Sequence, residues 1–302
     1  MTDEAVRRAL QASGVRPLRI SDVSLLGSGY AAHAYLVRTA EGDRVLRLPK
    51  PPLSHSAPLL QREARLLPLL ERYDLGVTTP RAMRAVREGR TFLGTIHELV
   101  EGAPFPIGLR GAARERLCAD IGRFLAALHA VPPAAAARVG AMEHDLWEDV
   151  YRELVERAMP HLGPATQAWL SRTARAFARR GTRDAPRVLV HGDISRAHLL
   201  GDAEGNLVGA IDFGEAQIAD PALDFAGVLN DLGWRDLERV WVHYRAAGGV
   251  VDADAARRTL FYIAVVPLYR VVHGYAAEGA AERAGGVRQL AARAAAATRS
   301  RA

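Results

Sequence analysis

RVLVHGDISRAHLLGDAEGNLVGAIDFGEAQIADPALDF, residues 187–225, decides how the rest of the chain is read. A β-rich run, Arg187-Val188-Leu189-Val190, delivers a polar turn, His191-Gly192-Asp193. Leu199-Leu200 follows, then the turn formers of 202–206, then a second apolar run from Leu207 to Ile211 that ends on Asp212-Phe213-Gly214. Apolar runs bounded by turn formers at this spacing predict paired strands. The pairing carries Asp193 and Asp212 to neighbouring strand ends. Two acids beside a loop suit magnesium-assisted phosphoryl transfer, in which one orients the attacking hydroxyl and the other holds the metal on the phosphates.

The same residues carry a resemblance. His191-Gly192-Asp193, with five residues to His198, followed by Ile211-Asp212-Phe213-Gly214, resembles the catalytic segment of the antibiotic kinases. These are the aminoglycoside and macrolide phosphotransferases, relatives of the protein kinases. Most of that larger group has Asn where this chain has His198. The branch that modifies the double-primed aminoglycoside ring and the macrolide kinases carry His there, which narrows the match. The resemblance implies an α+β, protein-kinase-like bilobal fold. A strand-rich nucleotide-binding lobe (1–101) precedes a helical lobe (102–302) with the catalytic loop and substrate pocket. It further implies Asp193 as catalytic acid or base and as an acceptor contact, Asp212 and His198 on the metal side, Mg2+ as cofactor, and ATP or GTP as phosphate donor.

Upstream, Arg19 to Leu26 reads as a strand leading into Gly27-Ser28-Gly29-Tyr30 and a second strand, Ala34 to Val37. Glycines between strands let backbone N–H groups approach phosphates, and this run resembles the phosphate-covering loop of the aminoglycoside kinases. Val45 to Pro49 is the next strand. Arg47 stands where kinases place a phosphate-binding lysine, a role arginine can fill bidentately. Glu63, on a helix read as Ala57 to Arg72, is its expected partner. Two strands, Pro80 to Val86 and Arg90 to Leu99, end in a segment whose His97, Glu98 and Leu99 resemble the hinge that binds the purine edge. Gly102 to Pro106 breaks the pattern and marks the lobe boundary.

Beyond it the chain turns helical. Leu117, Ile121, Phe124, Leu125 and Leu128 recur at spacings of three and four. Helices are expected over 112–130, 146–158, 164–179, 224–232, 236–247, 253–265 and 280–297. Asp220 and Asp224 read as helix caps bracing the loop.

The acceptor is the open question. Glu215 and Asp231 are the expected acceptor contacts beside Asp193. If Asp231, Asp236 or Glu238 faces the cleft, a polycationic aminoglycoside fits. If Trp234, Leu237 and Trp241 face it, an apolar macrolide fits. The aminoglycoside is the first choice, the macrolide the second, another small-molecule kinase the third. A kinase relative that binds nucleotide without turnover is the non-enzyme reading.

Composition bounds the alternatives. With 49% apolar residues among 302, the chain can bury a sizeable core. No apolar run reaches the roughly 18 residues of a membrane span, no apolar signal core opens the chain, and Cys118 is the sole cysteine. These features predict a cytoplasmic monomer without membrane or nucleic-acid partners. The formal charge is +6, with Lys50 the only lysine among 40 Lys and Arg residues. The arginines are dispersed rather than interleaved with aromatics, unlike a nucleic-acid-binding surface.

Overall fold

The computed structural model describes residues 3–106, 108–143, 147–180, 185–272, 274 and 279–299. Leu146, expected to open the helix over 146–158, lies outside them. The chain opens with α1 (Asp3–Ser13) and a five-stranded antiparallel sheet. Its strands are β1 (Val23–Ser28), β2 (Ala32–Val37), β3 (Arg44–Pro49), β4 (Arg84–Glu88) and β5 (Thr91–Glu98), in the order β1-β2-β3-β5-β4. The first strand starts four residues later than its apolar pattern suggests, because Ile20–Asp22 coils into a 3-10 turn.

Side chains alternate across a strand, so β3 divides its residues between two faces. Leu46 and Leu48 join Val6, Ala9 and Leu10 of α1 and Val37, Val86 and Ile96 of the sheet in one apolar cluster. Arg47, between them in sequence, takes the opposite face. That face is covered by α2 (Leu53–Leu70), which starts well before the expected Ala57 and keeps Pro58 and Pro68 inside it. Ser56 Oγ, bonded to the Lys50 carbonyl, ties down the first turn. The buried stripe of α2 runs Leu59, Leu60, Glu63, Leu66, Leu67, Leu70. This three-and-four spacing puts one carboxylate in an apolar row.

The expected boundary segment forms β6 (Ala103–Pro104), which pairs with the sheet of the second half of the chain. Next come α3 (Gly111–His129), α4 (Pro133–Arg138), a π-helical turn (Trp147–Tyr151), α5 (Arg152–Ala158) and α6 (Pro164–Arg180). Leu117, Ile121, Phe124, Leu125 and Leu128 are all buried, as the periodicity of α3 requires. Pro133 begins α4 rather than only ending α3, since proline suits the first helical position, where its missing N–H has no partner to lose.

The central stretch corrects the expected pairing. β7 (Val188–Val190) pairs not with the Leu207 run but with β10 (Gln217–Ala219). The Leu207 run is β9 (Leu207–Ala210), which pairs with β8 (Leu199–Gly201), itself next to β6. Two small sheets therefore converge on the polar turns: the turn formers of 202–206 make the β8–β9 hairpin, and β7 finds its partner in β10. The chain then runs through α7 (Ala222–Leu232), α8 (Trp234–Ala246), α9 (Ala255–Tyr262), α10 (Val265–Val272) and α11 (Gly279–Arg299). A single helix expected over 253–265 is α9 followed by a turn and α10. Among the described residues no helix is long and apolar enough to cross a membrane.

Candidate active site

His191 ties the two small sheets together. Its Nε2 lies 3.0 Å from the Ile211 carbonyl, and its Nδ1 accepts the Asp193 N–H at 3.3 Å. A carbonyl can only accept, so Nε2 carries the proton. Burial lowers the imidazole to about 4, which keeps it neutral. His191 thus organises the turn, as its place before Gly192 suggests.

Asp224 completes that turn from below. Its two oxygens accept the N–H groups of His191 and Gly192, both at 2.8 Å, and Oδ2 also meets His129 Nε2 at 3.1 Å. His129 in turn contacts the Tyr244 hydroxyl at 2.8 Å, deep in the core. The loop brace expected of Asp224 is therefore real, and it is anchored in α3 and α8. Asp220 has a partner that periodicity did not flag. Arg258 Nε donates to it at 2.6 Å and bonds Asp252 as well.

Gly192 has φ +82°, and a Cβ there would lie 2.3 Å from the Glu215 carbonyl oxygen. The turn carrying Asp193 and the turn carrying Glu215 can approach this closely only with glycine at that position. Asp212 adopts φ +67°, a left-handed conformation unusual outside glycine, at the bend between β9 and the short 3-10 turn Phe213–Glu215. Aspartate is among the side chains that tolerate it, at a cost of about 1 kcal/mol or more.

These bends bring Asp193, His198 and Asp212 together. His198 Nδ1 lies 2.8 Å from the Asp193 carbonyl oxygen and 3.4 Å from its Oδ2. His198 Nε2 lies 3.7 Å from Asp212 Oδ2. The carbonyl contact places a proton on Nδ1 and turns the Nε2 edge of the ring toward Asp212. Burial pushes the Asp193 carboxyl up to about 7, although His198 pulls it down and nearly half of its side chain faces the cleft. Burial would raise Asp212 too, but Arg47 and His198 outweigh it and hold that carboxyl down at about 2.

Arg47 pairs with Glu63, as expected, and also donates from Nη2 to Asp212 Oδ1 at 2.7 Å. No local pattern announces this second contact, which joins residues 165 positions apart. Glu63 is fully buried and its other oxygen accepts the Phe213 N–H at 3.1 Å. Burial pushes its carboxyl up to about 7, while Arg47 and that N–H draw it back. Burial opposes the charge on Arg47, yet Glu63 and Asp212 raise the guanidinium above its ordinary value.

The glycine turn follows β1. Gly29 N–H donates to the Ala32 carbonyl at 3.0 Å, and Lys50 Nζ reaches the Gly29 carbonyl oxygen at 2.5 Å. Gly27 and Ser28 end the strand, Ser28 Oγ meets His33 Nδ1 at 3.1 Å, and Tyr30 stands exposed beside the His55 ring. At the far end of β5, His97 is buried and lowered by that burial to about 4, with Nδ1 2.7 Å from the Glu98 carbonyl. Glu98 N–H donates to the Arg81 carbonyl and Leu99 N–H to that of Asp43. Those two donors already serve the chain's own fold.

Of the expected acceptor contacts, Glu215 sits close to Asp212, Arg62 and His55, with its carboxyl raised by burial. Asp231 is exposed and accepts the Arg196 N–H, so it also steadies the loop after Asp193. Asp236 is buried against Arg114 and Arg239, while Leu237 and Trp241 are core. Trp234 lines a cavity with Leu229, Asn230, Leu260, Ile263 and Arg293. Neither helical side anticipated for the acceptor faces outward as a set.

Among the described residues no group of three or more His, Cys, Asp or Glu is arranged to hold a metal ion. Magnesium is commonly held by one or two carboxylates with substrate phosphates and water completing the shell. The ionised Asp212 carboxylate fits that mode, with the His198 ring edge beside it.

Two small sheets clasping a histidine–aspartate turn, an arginine–glutamate pair under a five-stranded sheet and a helical second half together define a kinase-like phosphotransferase. Residues 22–261 match the phosphotransferase enzyme family (APH), and the chain belongs to that family. The GDP and kanamycin complex of APH(2")-IIia superposes with a TM-score of 0.84 at 24% identity, over 97% of this chain and 99% of that one. The apoenzyme of macrolide 2'-phosphotransferase MphH from Brachybacterium faecium superposes with a TM-score of 0.72 at 23% identity, over 95% and 97% of the two chains. At these identities the likeness is one of fold. Uncharacterized protein YcbJ of Bacillus subtilis (strain 168) is 39% identical over 65 residues, 22% of this chain. The match spans 21% of that relative's length.

Proposed function

We propose that this protein transfers the γ-phosphate of a nucleoside triphosphate to a hydroxyl of an antibiotic, an aminoglycoside in the first reading. The observation that carries the reading is the convergence of Asp193, His198 and Asp212, with Arg47 bridging Glu63 to Asp212. Residues 1–101 bind the nucleotide in this reading, and 102–302 supply the catalytic loop and the acceptor site. The 27–30 turn covers the phosphates, Arg47 contacts them, and the backbone around 97–99 borders the base, ATP or GTP. Asp212 and His198 are the residues that hold Mg2+, which neutralises charge on the phosphates when bound.

Asp193 accepts the proton of the acceptor hydroxyl as the new O–P bond forms and the bond from the γ-phosphorus to its bridging oxygen breaks. The nucleoside diphosphate leaves with that oxygen. Such transfer has a loose transition state, so orientation of the hydroxyl matters more than base strength. Asp193, Asp212 and Glu215 place three acids in one segment, which suits a cationic acceptor. The macrolide stays as the second reading, supported by the fold shared with macrolide 2'-phosphotransferase MphH. Replacing Asp193 with Ala is expected to lower turnover by about a hundredfold or more while nucleotide affinity holds. Turnover within a few-fold of wild type would remove Asp193 from the chemistry.

A further inference from the structure

α7 leans directly on the catalytic loop. A Cβ at Gly227 would lie 1.9 Å from the Ile194 carbonyl oxygen, one residue beyond Asp193. One turn further along α7, about 5 Å away, Asn230 lines an open cavity of 380 Å³ with Leu229, Trp234, Leu260, Ile263 and Arg293. Four of these six residues are apolar, one is an amide and one a cation. None is an acid. Two acids border it and are bonded to its lining: Asp231 Oδ1 accepts from Asn230 Nδ2 at 2.9 Å while its other oxygen takes the Arg196 N–H, and Glu238 accepts the Trp234 indole N–H at 2.9 Å.

Arg293 is the anomaly in this wall. Its Nη2 donates to Asn230 Oδ1 at 2.7 Å, and its Nη1 is closed off from solvent without an acceptor among the described residues. Burial lowers its guanidinium to about 10, with no carboxylate opposing the shift. A cation held by one neutral amide leaves unmet both its charge and a donor, a costly arrangement in a half-apolar site. An anion in the cavity meets the charge, and a guanidinium pairs well with a carboxylate. The volume falls at the small end of ligand pockets, and the indole and aliphatic wall suits a flat apolar body.

We propose that this cavity binds a carboxylate on a compact apolar body, with Arg293 and Asn230 taking the charged end and Trp234, Leu260 and Ile263 the body. The binding claim stands on the cavity alone. The acceptors of the phosphotransferase reading carry no carboxylate, so the ligand is a separate acid and not the acceptor.

Calorimetry with the full chain and three probes of one shape tests it: 2-naphthoate, neutral 2-naphthamide and cationic 2-naphthylmethylamine. Naphthoate is expected to bind at least tenfold more tightly than either, and Arg293→Met to abolish that preference while Arg293→Lys keeps part of it. Leu260→Glu, at an exposed position on the opposite wall, is expected to block naphthoate without altering the melting temperature, so the test survives a poorly folding Arg293 variant. Equal affinity for naphthoate and naphthamide, no naphthoate binding at millimolar concentration, or a preference that persists in Arg293→Met would overturn the proposal. Asp193→Asn is expected to bind naphthoate like wild type, which separates failure of this site from failure of the catalytic reading.

Discussion

Arg47 holds two carboxylates at once, Glu63 from α2 and Asp212 from the turn after β9. It thereby couples the first sheet to the catalytic segment through one side chain. If Arg47 and Glu63 act as a unit toward nucleotide, then Arg47→Met and Glu63→Gln should each weaken its binding. The double variant should lose less than the sum, by about 1 kcal/mol; additive losses in a nucleotide titration would separate the two roles. Strand alternation and kinase-like spacing made the Arg47–Glu63 pair legible in the sequence. The Arg47–Asp212 contact was not, because it depends on the left-handed turn at Asp212 and on a crossing between sheets that no local pattern encodes. His97 and His191 offer a different test. Burial lowers both to about 4 in the folded chain, whereas free imidazoles titrate near 6.5. Between those values the unfolded chain binds more protons at these two sites, so their share of stability is complete above about pH 6.5 and falls as pH drops toward 4, opposite in sign to that of the raised Glu63 and Asp193. His97→Gln should therefore raise the urea midpoint at pH 5 relative to that at pH 7, compared with wild type; an unchanged difference between the two midpoints would remove His97 from the account.

α7 is the element on which the catalytic turn rests. It supplies Asp224 to the His191 and Gly192 N–H groups, Gly227 against Ile194, and Asp231 to the Arg196 N–H. Gly227→Ala should cost about 1–3 kcal/mol through overpacking, and it should lower turnover by displacing the turn. Asp224→Ala should cost about 3 kcal/mol or more, because it strands two buried N–H groups and His129. Denaturant melts paired with turnover measurements check both. A Gly227→Ala protein with wild-type stability and turnover would show that the helix does not hold the loop. The capping residues of this helix were readable from Asp220-Pro221-Ala222-Leu223-Asp224. The partners of the two acids were not, since Arg258 and His129 lie 38 and 95 residues away. The same limit explains the strand pairing: β7 and β9 both read as strands, but the choice of partner between β9 and β10 is made by the two converging sheets and not by turn length.

At the scale of the whole molecule, a strand-rich first part and a helical second part follow from the change in apolar period near Gly102, and this division was legible without coordinates. The cavity beside α7 was less so. Its wall combines residues of α7, α8, α9 and α11, and sequence spacing on α8 alone could not show that Leu237 and Trp241 pack inward while Trp234 reaches the cavity. The protein is basic overall, with +6 formal charge, so a polycationic acceptor depends on the local acids Asp193, Asp212 and Glu215 to offset long-range repulsion. Mass spectrometry of a small panel of aminoglycosides and macrolides, each incubated with wild-type or Asp193→Asn protein, Mg2+ and ATP or GTP, addresses the central claim most directly. The expected result is a product heavier by one phosphoryl group, formed by the wild type with at least one acceptor and one nucleotide and nearly absent with Asp193→Asn. Equal product from both proteins, or no phosphorylated product from the wild type with any pairing, would contradict it.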